Sequence, residues 1–383
     1  MRLTGDELVA LVRRVFAPRP DDTAIGILID LPDATVPDTS SWRARRQMAA
    51  DWATGLATQQ DALGLRTDLL LFQNTHTNNG DLPADGAVVH SGGPVPDSCD
   101  DLAAATVQPW PLIFERYSIL LAPTRFSATA PLKVAARRAP IRAATMPGFS
   151  ADMIPALRLD YVEVNRRVGI LAGHLTRATG ATMTFRVGDE VLTLHLDLRF
   201  REAHASGGLL HTPGTAGNLP SGEAYIVPYE GERPGEPSRT HGRLPVQFGD
   251  EIVIYEIEDN RAVRVRPGGA QAHAEAARLS REPAYGNLAE LGLGVLAAFG
   301  VEPVGEVLLD EKLGPHIAFG RSDHFGGRVG PGAFSAPDAV VHIDRVYVPG
   351  CQPGVRIDQL ELHNDEGSSR VIMTDDAFAR DVF

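Results

Sequence analysis

Val191–Phe200 reads VLTLHLDLRF. Leu192, Leu194, Leu196, Leu198 and Phe200 fall on one side of a two-residue repeat, and Thr193, His195, Asp197 and Arg199 fall on the other. A period of two is the signature of a strand with one buried face. This stretch also separates two textures of chain. Upstream, the apolar runs are short and continuous, as in Ala24–Ile29 (AIGILI), Thr67–Phe72 (TDLLLF) and Tyr117–Ala122 (YSILLA). Continuous runs suit strands buried on both faces of a parallel sheet. Between the first two, residues 41–63 carry helix formers behind Asp38-Thr39-Ser40, an entry able to cap a helix. Residues 80–100, rich in Gly, Pro and Asp, read as a loop. Residues 157–180 read as a helix that ends at Gly180, with Arg177 near its C-terminus.

Downstream, the strand pattern continues in Met183–Phe185, Ile252–Ile257 (IVIYEI) and Ala339–Val348 (AVVHIDRVYV). Helices are expected at 271–281 and at about 287–299. Gly and Pro crowd residues 207–245 and 314–337, which read as long loops of the kind that carry sites. The fold expected is an α/β N-terminal domain over residues 1–145 and an α+β C-terminal domain over residues 146–383.

Composition narrows the function classes. At 383 residues the chain is long enough for two domains, and 43% hydrophobic with 22% charged residues is the balance of a globular protein. A formal net charge of −13 disfavours nucleic acid and anionic membrane as partners and suits cations. Cys99 and Cys351 are the two cysteines and no C-x-x-C occurs, which excludes a disulfide framework and a thiolate zinc site. Two free thiols are expected, although a single disulfide stays open. The first residues turn acidic without an apolar core, and no apolar run nears the roughly 18 residues of a membrane span. The expected location is the cytoplasm.

The strongest local feature is His342-Ile343-Asp344 inside an expected strand. Alternation puts His342 and Asp344 on one face, where an imidazole and a carboxylate converge on one divalent cation. A buried His–Asp hydrogen-bonded pair would read the same way. His316 precedes Ile317-Ala318-Phe319-Gly320 and follows Asp310-Glu311-Lys312; it fits a ligand or a core histidine. Glu223 stands where a Gly-rich segment enters an apolar one, and Glu290 stands among Leu288, Leu291 and Leu293. A carboxylate so placed needs a partner, because burying it bare costs several kcal/mol. A metal or an arginine would serve. His273, in a polar helical stretch, reads as surface, and His363 with Asp365 and Glu366 as an acidic loop without a role. No G-x-S-x-G elbow, H-E-x-x-H, P-loop or strand-linked G-x-G-x-x-G occurs.

Four segments stand in order: NLPSGEAYIVP from Asn218, GNLAELGLG from Gly286, LLDEKLGPHIAFG from Leu308 and VVHIDRVYV from Val340. Together they resemble the aminopeptidase T family of metallopeptidases, over about residues 145–349 and more loosely before. The resemblance implies a metal-binding, catalytic C-terminal domain. It implies two divalent ions (zinc, cobalt or manganese) held by Glu223, Glu290, His316, His342 and Asp344, with Glu290 central to catalysis. Five side chains serve two ions when a carboxylate or water bridges them. It further implies hydrolysis of an amide bond in a small-molecule or short-peptide substrate, and a homodimer. The chain departs from the family at Arg321-Ser322-Asp323-His324-Phe325, where a tyrosine is usual, and at Gly326–Gly332, where a Gly-Gly-Lys-Asn type run is usual. Asp323 or His324 takes the tyrosine's place as ligand or acid–base group, or the stretch is only a loop. Related proteins include iron-dependent ring-cleaving dioxygenases of dihydroxypyridines. In those, two histidines and an aspartate hold one iron and a histidine replaces the second glutamate; Glu290 here favours the hydrolase. A metal-free binding protein is the third reading.

Overall fold

The structure is a computed structural model, and it describes residues 1–102, 106–365 and 367–383. Glu366 of the acidic loop lies outside them. The chain divides into two compact units, Met1–Glu163 with Gly208–Ser221, and Val164–Gly207 with Gly222–Phe383. The architecture is mixed α/β with three sheets.

The first unit is built on a seven-stranded sheet. Its central strand, Ala24–Leu31, is buried along its whole length and pairs in parallel with Arg66–Gln73 and Ile119–Ala122. Both faces of such a strand are covered, so the run has no polar alternation. The helix Ser40–Thr58 follows, with the Thr39 hydroxyl accepting from the Trp42 N–H as an N-cap. A separate short helix, Gln60–Leu63, ends at Gly64 in the left-handed region. Within the expected loop 80–100 the chain forms an antiparallel strand, Asp85–His90, on Arg66–Gln73. Its Ala87 and Val88 supply buried surface that the surrounding Gly, Pro and Asp mask in the sequence. Thr215–Asn218 closes the other side, parallel to Arg142–Thr145.

The second unit holds an eight-stranded and a five-stranded sheet. The opening stretch becomes the strand Glu190–Asp197, paired with Gly180–Val187 and His241–Phe248. The helix expected to reach Gly180 ends at Arg177, and Gly180 starts a strand. The five-stranded sheet runs, in spatial order, His342–Val346, Pro315–Gly320, Leu288–Gly294, Glu223–Ile226 and His204–Ser206. One of these overturns an expectation. Residues 287–299 are not a helix but the fully buried strand Leu288–Gly294 and a 3-10 turn. Leucines at 288 and 291 imitate helical spacing; the alternation Glu290, Gly292, Gly294 is what the packing uses. Glu223–Ile226 and Pro315–Gly320 are strands where apolar stretches interrupt the Gly/Pro-dense segments. Behind this sheet, Phe319 packs on Tyr255 of the larger sheet at 5.1 Å and on Tyr285 at 5.5 Å between ring centroids.

Gly26 marks the tightest point of the first sheet. A Cβ there would stand 2.4 Å from Leu70 Cδ1 and 3.0 Å from Leu120 Cδ2, both on fully buried side chains. Gly26→Val should destabilise the protein by about 1–3 kcal/mol through overpacking, read as a lower denaturation midpoint at unchanged m-value.

Candidate metal centre

Four adjacent strands of the five-stranded sheet place the site on one face. In register, Glu290 pairs with Ala318 and Ala318 with Asp344; Gly292 pairs with His316; Gly320 pairs with His342; Glu223 pairs with Gly294. Side chains of directly paired residues emerge on the same face. The face therefore alternates ligand-type residues with Gly and Ala, which leave them room. A Cβ on Gly292 would lie 1.9 Å from His316 Nε2, and one on Gly294 would lie 2.3 Å from the Lys312 carbonyl carbon. The glycines of ELGLG exist for this face. A bulge in the pairing between Leu288 and Glu290 sits next to the site.

All five residues expected as ligands meet here. They form two groups with ligand atoms within 4.8 Å of one another: Glu223, Glu290 and His316, and Glu290, His342 and Asp344. Glu290 belongs to both and divides its oxygens between them. Its Oε1 lies 3.2 Å from His316 Nε2 and its Oε2 lies 3.5 Å from His342 Nε2. Glu223 Oε2 is 3.6 Å from His316 Nε2, and Asp344 Oδ1 is 3.5 Å from His342 Nε2.

The hydrogen bonds behind the imidazoles set their tautomers. His316 Nδ1 faces the Gly314 carbonyl at 3.2 Å and His342 Nδ1 faces the Arg321 carbonyl at 2.8 Å. A carbonyl only accepts, so each Nδ1 carries a proton and each Nε2 is turned toward carboxylates. A neutral imidazole would aim a lone pair at negative oxygen. Either a second proton or a cation must stand between them. Glu223 Oε2 and Asp344 Oδ1 are, moreover, buried without a hydrogen-bond donor. Orphaned acceptors beside paired imidazole nitrogens are the donor set that divalent zinc, cobalt, manganese or iron accepts.

Charge accounts for the rest. Burial raises the Glu223 carboxyl above its usual range despite Lys312. Burial also pushes up Glu311, partly countered by Lys312, and leaves it at about 8. Glu290 feels the same burial, yet its bonds to His316 and His342 hold it low. Asp344 is held low against burial, chiefly by His342. Burial opposes charge on His316, but Glu290, Glu223 and Asp344 lift it to about 9; His342 rises likewise through Asp344 and Glu290.

Lys312 and Glu311 stood in the quoted DEK segment without a role. The structure puts the Lys312 ammonium, 1% exposed, in ion pairs with Glu223 and Glu311. Only tertiary placement reveals a lysine as the internal counter-charge, since the segment alone reads as a charged surface turn. Tyr225, also unassigned before, follows Glu223 at the same-face spacing of two. It belongs to an aromatic rim in which ring centroids lie 5.1 Å apart for His204–Tyr225, 4.8 Å for Tyr225–Phe325 and 5.5 Å for Phe325–His342.

The loop at the variant positions is tied to the buried Glu230 carboxylate. That carboxylate accepts from the Ser322 hydroxyl and the Arg328 N–H, both at 2.5 Å, and from Asn287 Nδ2 at 2.9 Å. Asp323 turns to Arg321 Nε at 2.6 Å and joins neither candidate group. His324 also joins neither, but its ring stands edge-to-face with His342 at 5.2 Å. Burial, then His342 and Arg321, keep its imidazole neutral by lowering its pKa to about 4.

No family model matches the chain, and no curated protein matches it. Solved structures do. The structure of 2,5-dihydroxypyridine dioxygenase from Pseudomonas putida KT2440 aligns over 99% of this chain and 98% of that chain, with TM-score 0.59 and 14% identity. Wild-type AmpT from Thermus thermophilus aligns over 98% of each chain, with TM-score 0.54 and 15% identity. The chain thus shares an aminopeptidase T-like fold, and the same fold is found in a dioxygenase.

Two outcomes follow from the geometry. Adding zinc at pH 7 to cation-free protein in weak buffer should release protons from His316 and His342, and affinity should climb as pH rises from 6 toward 9. A pH-indicator titration giving no proton release would remove the imidazoles from the ligand set. Gly292→Ala should displace the His316 ring and weaken cation binding by about 10-fold or more, as loss of ligand orientation does, measured by calorimetry.

Proposed function

We propose that the chain is a metal-dependent hydrolase of an amide bond, aminopeptidase-like, acting on a short peptide or small aminoacyl substrate. The observation that carries this reading is Glu290, whose two oxygens serve two different ligand groups, as a carboxylate bridging two ions requires. Two divalent ions, of zinc, cobalt or manganese, would supply a water acidic enough to attack the carbonyl and charge to stabilise the developing oxyanion.

The chain's own residues do the remainder. Glu223 and His316 form the inner pocket, and His342 and Asp344 the outer one. Lys312 neutralises part of the carboxylate charge and holds Glu223 in place through their ion pair. Arg321 and Gly314 hold the imidazoles through their carbonyls. The rim of Tyr225, Phe325 and His324 borders the more exposed His342 and is where substrate would approach. We further propose a cytoplasmic homodimer; no helix among the described residues is long and apolar enough to cross a membrane.

The second reading is a ring-cleaving dioxygenase with one iron on the group of Glu290, His342 and Asp344. It draws on the fold of the dihydroxypyridine dioxygenase and on the pairing of His342 with Asp344. Glu290 argues against it, because a carboxylate stands where that reading expects a second histidine.

Metal analysis of purified protein separates the readings: two ions per chain and turnover of aminoacyl amides for the hydrolase, one iron and turnover of dihydroxylated heterocycles for the dioxygenase. Glu290→Ala is expected to lower kcat/KM for an aminoacyl amide by roughly 100-fold or more, beyond the usual cost of losing an outer-shell partner, with unchanged far-UV circular dichroism. A variant with full turnover would rule out the bridging role.

A further inference from the structure

The eight-stranded sheet carries a second gathering of imidazoles, on a different sheet from the carboxylate face. His195 and His241 are directly paired across the antiparallel strands Glu190–Asp197 and His241–Phe248. Their rings are stacked, 4.8 Å between centroids and 26° between planes. His195 is half-buried and His241 exposed. Directly paired strand residues have Cβ atoms about 4.5–5.5 Å apart, a span over which two imidazoles can chelate one ion.

What stands behind the rings distinguishes this pair from two adjacent surface histidines. His241 Nδ1 faces the Arg239 carbonyl at 2.8 Å, so Nδ1 carries the proton and Nε2 keeps its lone pair. His195 Nδ1 lies 3.0 Å from the Thr182 hydroxyl, which lies 2.7 Å from His363 Nε2. A hydroxyl has one proton, so one of these two imidazoles accepts from Thr182 and the other donates to it. A cation on His195 Nε2 selects the relay in which His195 Nδ1–H donates to Thr182 and Thr182 donates to His363. Ligating histidines have this second hydrogen bond, from the nitrogen away from the metal. Here both are already made. No other hydrogen bond is formed by the Nε2 atoms of His195 and His241 among the described residues.

The surroundings admit an ion. A cavity of about 390 Å³ is lined by His195, His241, His363 and Asp365, with Arg199 and Arg239 also on its wall. This leaves space for waters to complete a coordination shell, and Asp365 offers an exposed carboxylate on the same cavity. Burial, His241 and His363 keep His195 neutral, the form that ligates.

We propose that His195 and His241 form a chelating site for a borderline transition-metal ion such as zinc or nickel, separate from the carboxylate centre, with Thr182 and His363 as its outer hydrogen-bonding shell. Borderline ions favour imidazole, whereas calcium and magnesium favour oxygen. The site would bind through two protein nitrogens, with waters in the other positions.

The test uses untagged full-length protein stripped of metal and titrated with zinc by calorimetry, with histidine ring nitrogens followed by NMR. The wild type should bind one more ion per chain than the His195→Gln/His241→Gln double variant, and the Nε2 resonances of both histidines should shift. His363→Gln should weaken that extra ion by about 10-fold while its stoichiometry stays the same. Magnesium should not compete. Equal stoichiometry in wild type and double variant, or Nε2 resonances that do not move with zinc, would overturn the proposal. Because the readout is a difference between two proteins with the same carboxylate centre, it holds whatever that centre binds.

Discussion

The second unit is organised by the mutual repulsion of carboxylates that its sheet forces together. Glu223, Glu290 and Asp344 are packed on one face of four strands with Glu311 alongside, and water is too scarce there to screen them. Stripping a carboxylate of water costs several kcal/mol, and bringing others beside it adds to that. Lys312 offsets part of the charge. His316 and His342 offset more only while each carries two protons or while a cation stands in their place. The centre is therefore incomplete as a neutral assembly of protein atoms, and that incompleteness is its chemical meaning.

Such a cluster could not be held by loops. It depends on strands whose opposite face is covered: Phe319 against Tyr255 and Tyr285, and Leu291, Leu293 and Ile317 without exposure. That apolar packing stabilises the sheet enough to carry an electrostatic burden on its other side. Gly292 and Gly294 contribute by their smallness, since a larger side chain would occupy the space of the His316 ring and of the Lys312 backbone. Side chains on rigid strands also keep their spacing better than those on loops, which suits a candidate metal centre.

The rim is built differently. The Ser322–Arg328 segment has no sheet to hold it and depends instead on Glu230, which gathers a hydroxyl, an amide side chain and a backbone N–H. It brings His324 and Phe325 to the edge of His342 while Asp323 turns aside to Arg321. Solved structures of this fold include an aminopeptidase and a dioxygenase, so chemistry on this scaffold is a property of the ligand face and its rim, and the fold does not select it.

The sequence alone determined the residue types and their spacing. His342-x-Asp344 shares a face because strand geometry has a period of two, and a glutamate among leucines and glycines needs a partner because bare burial is too costly. Continuous apolar runs likewise announced the parallel strands of the first unit. Tertiary structure decided what local patterns leave degenerate. Leu288–Gly294 has leucines at helical spacing and glycines at strand spacing, and only the His316 ring lying over Gly292 makes the second pattern the operative one. Asp85–His90 and Thr215–Asn218 are strands because a sheet edge was there to pair with. Lys312 is a buried counter-ion only because the strand carrying Glu223, 89 residues away in the chain, sets its carboxylate beside Lys312 and Glu311. Pairing and burial energies arise between segments far apart in the chain, and no window of sequence contains both partners.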